Sequence, residues 1–367
     1  MCIFVTELVI MDINKRLNTI PTTRYQGSKR KLLPWIYDAI KDLEFHSILD
    51  AFGGSASVSI LFKMMGKAVT FNDILKFNSI IGESVISNSQ TILTDSDVAF
   101  LLDFTNIRGV KKHFIENTFR GIYYLDSENV WLDNIICRIN ELRLLYEGDV
   151  LKHKQAIAYN ALFQSCLTKR PYNLFHRNNL NMRTRQVDRS FGNKKTWDTP
   201  FVQHFVKFAK EINNAVFDSG ITCHVMNNDI LDINQAFDAV YIDPPYIKKT
   251  GTVDYLNYYH FLEGLVNYDS WGSMLDLTSS NKRIAYTFQN QFKPYCGLQT
   301  LENIICKFQN SKLIVSYKDG GIPSIGELIS VIQQYKRRVV VHKTSYKYAL
   351  NKNNGDSNSC EYIIIGE

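Results

Sequence analysis

Residues 46–73 read HSILDAFGGSASVSILFKMMGKAVTFND and combine two short apolar runs with a helical run between them. The runs at 46–49 and 68–71 predict strands, because they are short and mainly apolar, and 57–65 has helical spacing. A strand, a crossover helix and a second strand in this order favour parallel pairing. We therefore predict an α/β fold built on a mostly parallel sheet.

The rest of the chain extends this unit on both sides. Upstream, residues 31–43 have helical spacing. Downstream, residues 79–213 contain helical and loop-like segments without a run of regular strands, and strands then return. We predict one α/β domain from 1–78 and 214–367, interrupted by an inserted, mainly helical domain at 79–213. The later strands are predicted at 221–226, 239–242, 283–288, 313–317, 339–341 and 361–365, with the last two as an antiparallel hairpin.

Composition and charge restrict the class of protein. The chain has 367 residues, of which 45% are hydrophobic and 13% aromatic, so it is a folded globular protein and not a disordered one. Its formal charge of +6 permits attraction to a polyanion without establishing it. The seven cysteines include no CxxC pair, which argues against a disulfide framework and a cysteine zinc site. We expect a reduced, cytoplasmic protein without a bound metal or a membrane span.

The hexapeptide YIDPPY, residues 241–246, places an acid, two prolines and a tyrosine at the end of an apolar strand. Parallel α/β sheets bind ligands at this end of their strands. Proline fixes φ and lacks an N–H group, so a rigid carboxylate beside a carbonyl can accept both hydrogens of an amino group, and a tyrosine can stack on the attached base. A turn after a buried strand is the structural alternative. We predict as catalytic residues Asp243, Pro244, Pro245 and Tyr246.

This hexapeptide resembles the catalytic motif of the Dam-like adenine-N6 DNA methyltransferases, particularly those of restriction–modification systems. The resemblance implies a Rossmann-like fold that binds S-adenosylmethionine as methyl donor, and a flipped adenine in double-stranded DNA as acceptor. It also implies that the insert at 79–213 is the target-recognition domain and that a cognate restriction endonuclease, acting separately, is a potential partner. A bacterium, plasmid or phage is the setting that this resemblance implies.

A loop rich in small residues, DAFGGSASV at 50–58, follows the first predicted strand. Small side chains allow the backbone to approach a ligand closely, although a tight turn between strand and helix explains them equally well. The loop is neither a GxGxxG dinucleotide fingerprint nor a P-loop. It is similar to the donor-binding loop of the family, in which Asp50, Phe52 and Gly54 match. A second glycine that is usual there falls on Ala56, and we expect donor binding to survive.

Residues 23–33, TRYQGSKRKLL, precede a predicted helix, so their hydroxyl or backbone groups can bind an anion, and a solvated basic loop is the alternative. The segment is similar to the family's N-terminal motif, which contacts the methionine part of the donor. Asp73 and Asp229 follow other predicted strands, where a carboxylate binds a ribose hydroxyl or an amino group, or caps a helix. Both resemble donor-pocket acids of the family. The predicted donor-binding residues are Tyr25, Gly27, Lys29, Asp50, Phe52, Gly54, Asp73, Asp229 and Asp243.

A basic segment within the insert reads TKRPYNLFHRNNLNMR, residues 168–183. Arg and Lys suit phosphates and guanine edges, and Asn suits adenine edges. A solvated basic face is the alternative. The segment resembles one found in restriction-system adenine methyltransferases, which implies that it faces DNA. The predicted DNA-binding residues are Lys169, Arg170, Asn173, His176, Arg177, Asn178 and Arg183.

Other functions are compatible with the sequence. The same scaffold serves the amino group of cytosine N4, of RNA and of a protein amide, and a DNA-binding protein can keep the scaffold after losing catalysis. The acid at position 243 and the basic insert favour DNA adenine. Aromatic residues of 254–263 are candidates to line a pocket for an extruded base, with helical packing favoured for Phe261 and Leu262.

Overall fold

The computed structural model describes residues 16–108, 113–176, 179–185, 194–245, 247–248, 251–285, 297–346 and 359–367. The strands are β1 Ser47–Asp50, β2 Ala68–Asn72, β3 His224–Met226, β4 Ala239–Ile242, β5 Ile247–Lys248, β6 Gly251–Thr252, β7 Lys312–Lys318, β8 Val339–Tyr346 and β9 Ser359–Gly366. The helices are α1 Leu33–Ile40, α2 Ser57–Met64, α3 Lys76–Val85, α4 Asp95–Leu102, α5 Phe114–Thr118, α6 Asp126–Glu141, α7 Gly148–Lys169, α8 Lys194–Asp198, α9 Phe201–Ala215, α10 Tyr255–Val266, α11 Gly297–Lys307 and α12 Ile325–Tyr335.

Seven strands form one sheet in the order β3-β2-β1-β4-β7-β9-β8, and β5 pairs with β6 separately. The five strands from β3 to β7 in this order are parallel, whereas β9 is antiparallel to both of its neighbours. This arrangement confirms the predicted α/β fold with a mostly parallel sheet and a C-terminal antiparallel hairpin. The strand order reverses between β1 and β4, which is the point where open α/β sheets bind their ligands.

Helices cover both faces of the sheet, which explains why its central strands are apolar throughout. Along β4, Ala239 and Tyr241 join the buried cluster on one face, while Val240 and Ile242 join the cluster on the other, as the two-residue period of a strand requires. The first cluster includes side chains of α1, α2 and α3, and the second includes side chains of α11 and α12.

The helices of the predicted insert share the first of these cores. Every residue from 156 to 169 of α7 is buried, so this helix lies at the centre of the helical region. The same cluster contains Phe71 on β2, Phe77 on α3 and Phe163 on α7. The predicted boundary between 78 and 79 lies inside α3, a helix that packs against both the sheet and α7. The structure therefore joins the two predicted domains through one continuous core.

Several helices and strands have different bounds in the structure from those predicted. The helix expected at 31–43 consists of a 3₁₀ turn, Arg30–Leu32, followed by the shorter α1, and the strand expected at 221–226 is limited to β3. The described part of the strand expected at 283–288 forms a single bridge, from Leu275 to Ile284, and its remainder lies outside the described residues. Across the described ranges, no helix is long and apolar enough to cross a membrane.

Candidate active site

A cavity of about 630 Å³ opens at the carboxyl edge of the sheet, beside the ends of β1, β2 and β4. Its walls come from the segment before α1, the loop after β1, the ends of β2 and β4, and the start of α10. The volume is in the range of small-molecule sites. The cavity is lined by every residue predicted to bind the donor: Tyr25, Gly27, Lys29, Asp50, Phe52, Gly54, Asp73, Asp229 and Asp243.

The loop after β1 is shaped by two glycines of different kinds. A Cβ on Gly53 would lie 2.1 Å from the ring of Phe71, so no larger residue fits there. Gly54 has φ +50°, and its N–H donates to Asp73 Oδ2 at 3.0 Å. Gly53 is absent from the sequence-based prediction, because its requirement comes from a ring on the neighbouring strand. Ala56 also has a positive φ, +60°, which explains why a glycine suits this position.

Two carboxylates at the strand ends, Asp50 and Asp73, are buried. Asp73 accepts the N–H groups of Gly54 and Leu75, and burial nevertheless raises its pKa above the ordinary value. Asp50 accepts the hydroxyl of Ser59, and burial, with added repulsion from Asp243 and Asp73, raises its pKa to about 7. Within the described ranges neither forms an ion pair. Such carboxylates favour a ligand that carries positive charge and hydrogen-bond donors.

Amide oxygens in the cavity wall add acceptors to these carboxylates. The buried side-chain oxygens of Gln26, Asn78 and Asn257 have no hydrogen-bond partner in the described part of the protein. Buried polar atoms are normally satisfied, so these oxygens indicate a ligand with N–H or O–H groups. Asp229 also lines the cavity, and its Oδ1 accepts the N–H of Leu231 at 2.9 Å.

An aromatic wall closes the side of the cavity next to α10. The ring of Tyr25 stacks on Tyr259 and Tyr255, with centroid distances of 4.7 and 5.8 Å. Tyr259 also accepts the N–H of Gln26, which fixes the segment before α1. Gly27 has φ +85°, and a Cβ there would lie 2.8 Å from the hydroxyl of Tyr255. The tyrosines of α10 thus shape the cavity, whereas Phe261 and Leu262 are fully buried core residues.

The predicted catalytic acid lies at the edge of the cavity in an ion pair. Lys29 Nζ is 3.1 Å from Asp243 Oδ1 and 3.7 Å from Glu361 Oε2 on β9. Lys29 and Glu361 are buried, and the Asp243 side chain is 15% exposed. Pro245 lines the cavity, Pro244 is buried beside it, and Tyr246 lies outside the described residues.

Three basic residues that were predicted to bind DNA are buried instead. Lys169 and Arg183 both pair with Glu128, and Lys169 also donates to the carbonyl oxygens of Trp197 and Thr199. Arg170 is 1% exposed and lies over the ring of Tyr123, 4.7 Å from its centroid. A direct phosphate contact would require these side chains to leave their partners. We correct the prediction for Lys169, Arg170 and Arg183: they stabilise the helical region from within.

The outward part of the basic segment is short. Tyr172 is 56% exposed, and the neighbouring Asn173 accepts a hydrogen bond from Arg24 at 3.4 Å. The His176 ring stacks on Tyr258 with a centroid distance of 4.0 Å, which joins this segment to α10, the helix whose first residues line the cavity. Arg177 and Asn178 lie outside the described residues. Among the described residues, no cluster of His, Cys, Asp and Glu is arranged to hold a metal ion.

Comparison with known proteins accounts for this arrangement. Residues 25–267 match a family model described as D12 class N6 adenine-specific DNA methyltransferase. The chain is 29% identical over 357 residues to the type II methyltransferase M2.HphI of Haemophilus parahaemolyticus, covering 95% of this chain and 98% of that protein. It is 22% identical over 366 residues to the type II methyltransferase M.NlaIII of Neisseria lactamica, covering 94% and 98%. The match confirms the resemblance inferred from the motifs.

Proposed function

The chain belongs to the D12 class N6 adenine-specific DNA methyltransferase family, and we propose that it methylates N6 of an adenine flipped out of double-stranded DNA, with S-adenosylmethionine as donor. We further propose that it is the modification enzyme of a restriction–modification system, because both relatives are type II methyltransferases and align over nearly their whole length. The observation that carries the proposal is one cavity that joins a carboxylate-rich pocket to Asp243.

The cavity fits the donor in charge and in hydrogen bonding. S-adenosylmethionine supplies a methyl group activated by a positively charged sulfur, and it carries an ammonium, two ribose hydroxyls and an adenine amino group. Carboxylates that form no ion pair and amide oxygens that have no hydrogen-bond partner, both judged within the described residues, are the acceptors that such a molecule requires. We propose that Asp73 binds the ribose, Asp229 the adenine amino group, and Tyr25 and Gly27 the methionine part.

The acid and the rigid backbone after β4 act on the amino group of the target base. The lone pair of adenine N6 is conjugated with the ring, so the amine is a poor nucleophile. Asp243 accepts a hydrogen bond from one N–H of this amino group, and the Pro244 carbonyl accepts a hydrogen bond from the other. Both bonds strengthen as positive charge develops on N6, which stabilises the transition state more than the ground state. Tyr246 stacks on the flipped base, which offsets part of a flipping cost of a few kcal/mol.

The helical region supplies recognition of the duplex. We propose that 79–213 forms the target-recognition part and that 1–78 with 214–367 performs methyl transfer, the two parts sharing a core. The outward residues around Asn173 and His176, with Arg177 and Asn178, are the proposed DNA contacts. Phosphate contacts of this kind make DNA affinity fall as salt rises. A cognate endonuclease would read the same site independently.

Sequencing of modified bases in a plasmid tests this function directly. The chain is expressed in a host without DNA methyltransferases, and the plasmid is then sequenced by a method that distinguishes N6-methyladenine from N4-methylcytosine. We expect N6-methyladenine at one short recognition sequence. Detection of N4-methylcytosine would show that the protein methylates cytosine and not adenine. Unmodified plasmid DNA, from a protein that folds and binds the donor, would reject the proposal.

A further inference from the structure

A buried glutamate from the last strand touches the charge pair at the active site. Glu361 is 0% exposed, and its Oε2 lies 3.7 Å from Lys29 Nζ, which in turn lies 3.1 Å from Asp243 Oδ1. Glu361 lies beyond the segment that matches the family model, 25–267. Three charged groups from three separate parts of the chain therefore meet beside the cavity.

The reversed direction of β9 brings this glutamate to the active-site edge. Glu361 stands opposite Lys318, the last residue of β7, and opposite Thr344 of β8. Because β9 runs antiparallel to β7, its first residues lie at the carboxyl edge of the parallel strands. Asp243 follows β4 at the same edge. A parallel last strand would carry its first residues to the opposite edge of the sheet, away from Lys29.

The sharing of the Lys29 ammonium affects how strongly the Asp243 carboxylate accepts a hydrogen bond. One ammonium shared between two carboxylates is bound less exclusively by Asp243 than the ammonium of a single pair of Lys29 and Asp243 would be. Inside the protein, charges at these distances interact strongly, because water screens them little. An ammonium bound to Asp243 alone would draw electron density from the carboxylate and weaken it as an acceptor. A second carboxylate on the same ammonium opposes this effect.

We propose that Glu361 is a positioning residue for methyl transfer, which holds Lys29 between two carboxylates so that Asp243 retains the charge with which it binds the target amino group. This inference rests on the proposed function, since it assigns to Asp243 the role given above. Glu361 contacts neither donor nor base and acts through Lys29. The competing explanation is that the pair only fastens the C-terminal hairpin to the sheet.

The test compares Glu361→Gln, Glu361→Asp and a control, Glu367→Gln. Glu367 lies at the end of the same hairpin and pairs with Lys312 and Arg338. Single-turnover methylation is measured with saturating donor and DNA, alongside the dissociation constants of both. We expect Glu361→Gln to slow the single turnover by on the order of 10- to 100-fold, the range seen when a group that orients a metal ligand is removed. Both dissociation constants should change less than about twofold.

The other variants separate positioning from folding. Glu361→Asp keeps the charge and should recover most of the rate, and Glu367→Gln should leave the rate unchanged. In a Lys29→Met background, Glu361→Gln should cause little further loss, because its effect passes through Lys29. A normal single-turnover rate in Glu361→Gln, or equal losses with and without Lys29, would overturn the proposal. If Glu361→Gln does not fold, the Glu361→Asp rate decides: a loss as large as that of Lys29→Met would also overturn it.

The same assay distinguishes this inference from the proposed function. Wild-type protein and Asp243→Ala are measured first. If the wild type does not methylate adenine, or Asp243→Ala does so normally, the proposed function fails. If both behave as expected and Glu361→Gln matches the wild type, only the role of Glu361 fails.

Discussion

Two carboxylates, the half-buried Glu128 in the helical region and the buried Asp50 at the sheet edge, have opposite surroundings. Glu128 lies between Lys169 and Arg183. Burial alone would raise its pKa, but the bonds and charges of these two cations lower it below the ordinary value. Asp50 has a serine hydroxyl as its side-chain partner, and burial raises its pKa to about 7.

The difference separates carboxylates that are paired within the fold from carboxylates that face the cavity. The partners of Glu128 belong to the protein, so the cluster is complete once the chain has folded. Asp50 and Asp73 face a cavity, and no cation among the described residues pairs with them. A high local density of charge in the sequence therefore indicates a binding site only where the fold leaves that charge unbalanced.

The largest effect is expected from Asp243→Ala at the sheet edge. We expect the rate of methyl incorporation into DNA to fall by on the order of 10³–10⁴-fold, because the acceptor for the amino hydrogen is lost. Folding should persist, since Lys29 keeps Glu361 as a partner. Initial rates are measured with an Asp42→Ala variant, which removes an exposed carboxylate, as the control. Near-normal methylation by Asp243→Ala would remove this residue from the mechanism.

Glu128→Gln should act on stability instead. Loss of the carboxylate leaves Lys169 and Arg183 buried without their shared anion, which costs about 3–5 kcal/mol of unfolding free energy. Denaturant unfolding measures this change, and Glu44→Gln, at an exposed position, should shift it by less than about 0.5 kcal/mol. At temperatures where the variant is folded, the salt dependence of DNA binding should equal that of the wild type. An unchanged midpoint with a steeper salt dependence of DNA binding would return Lys169 and Arg183 to the DNA interface.

These two regions also differ in how far the sequence predicts them. Residues that end a strand or directly follow it, such as Asp50 and Asp73, are placed by the strand itself, so short motifs predict where they lie. Lys169 and Arg183 appear in the sequence as part of an unopposed basic run. Their partner Glu128 lies 55 residues before Arg183, on helix α6, and only the tertiary packing reveals it. Local composition cannot indicate whether such a run is exposed or paired.

Glu361 and Gly53 escaped prediction for a related reason. Glu361 reaches the site because β9 is antiparallel and adjacent to β7, an order that the sequence pattern of the hairpin does not specify. Gly53 is required by the ring of Phe71 on the neighbouring strand. The fold class follows from the order of strands and helices, which is a local property. Contacts between strands distant in sequence depend on sheet order, which is not local.

A smaller effect is expected from pH on donor binding. With a pKa of about 7, Asp50 is mostly protonated below pH 7 and ionised above it. A cationic donor favours the ionised form, so its dissociation constant should fall as pH rises. Between pH 6 and 7.5 we expect about a fivefold to tenfold decrease, since one pH unit below the pKa changes the ionised fraction about tenfold. Titration calorimetry measures it, and Asp50→Asn should flatten the profile. A wild-type profile that is equally flat would mean that a cation within the protein already balances Asp50.

The smallest effects concern the backbone around α2, where two residues have a positive φ. Gly66 has φ +68° and open space beside it, so Gly66→Ala should cost about 1 kcal/mol of unfolding free energy from backbone strain alone.

Ala56 has φ +60° but is fully buried. Ala56→Gly relieves about 1–2 kcal/mol of backbone strain and loses about 0.8 kcal/mol from burial of the methyl group. Because glycine also raises the conformational entropy of the unfolded chain, most of the remaining stabilisation is cancelled. We expect a net change below about 0.5 kcal/mol by denaturant unfolding. If Ala56→Gly raises the unfolding free energy by more than about 1 kcal/mol, the donor loop contains backbone strain that exceeds the stabilisation from packing of the Ala56 methyl group.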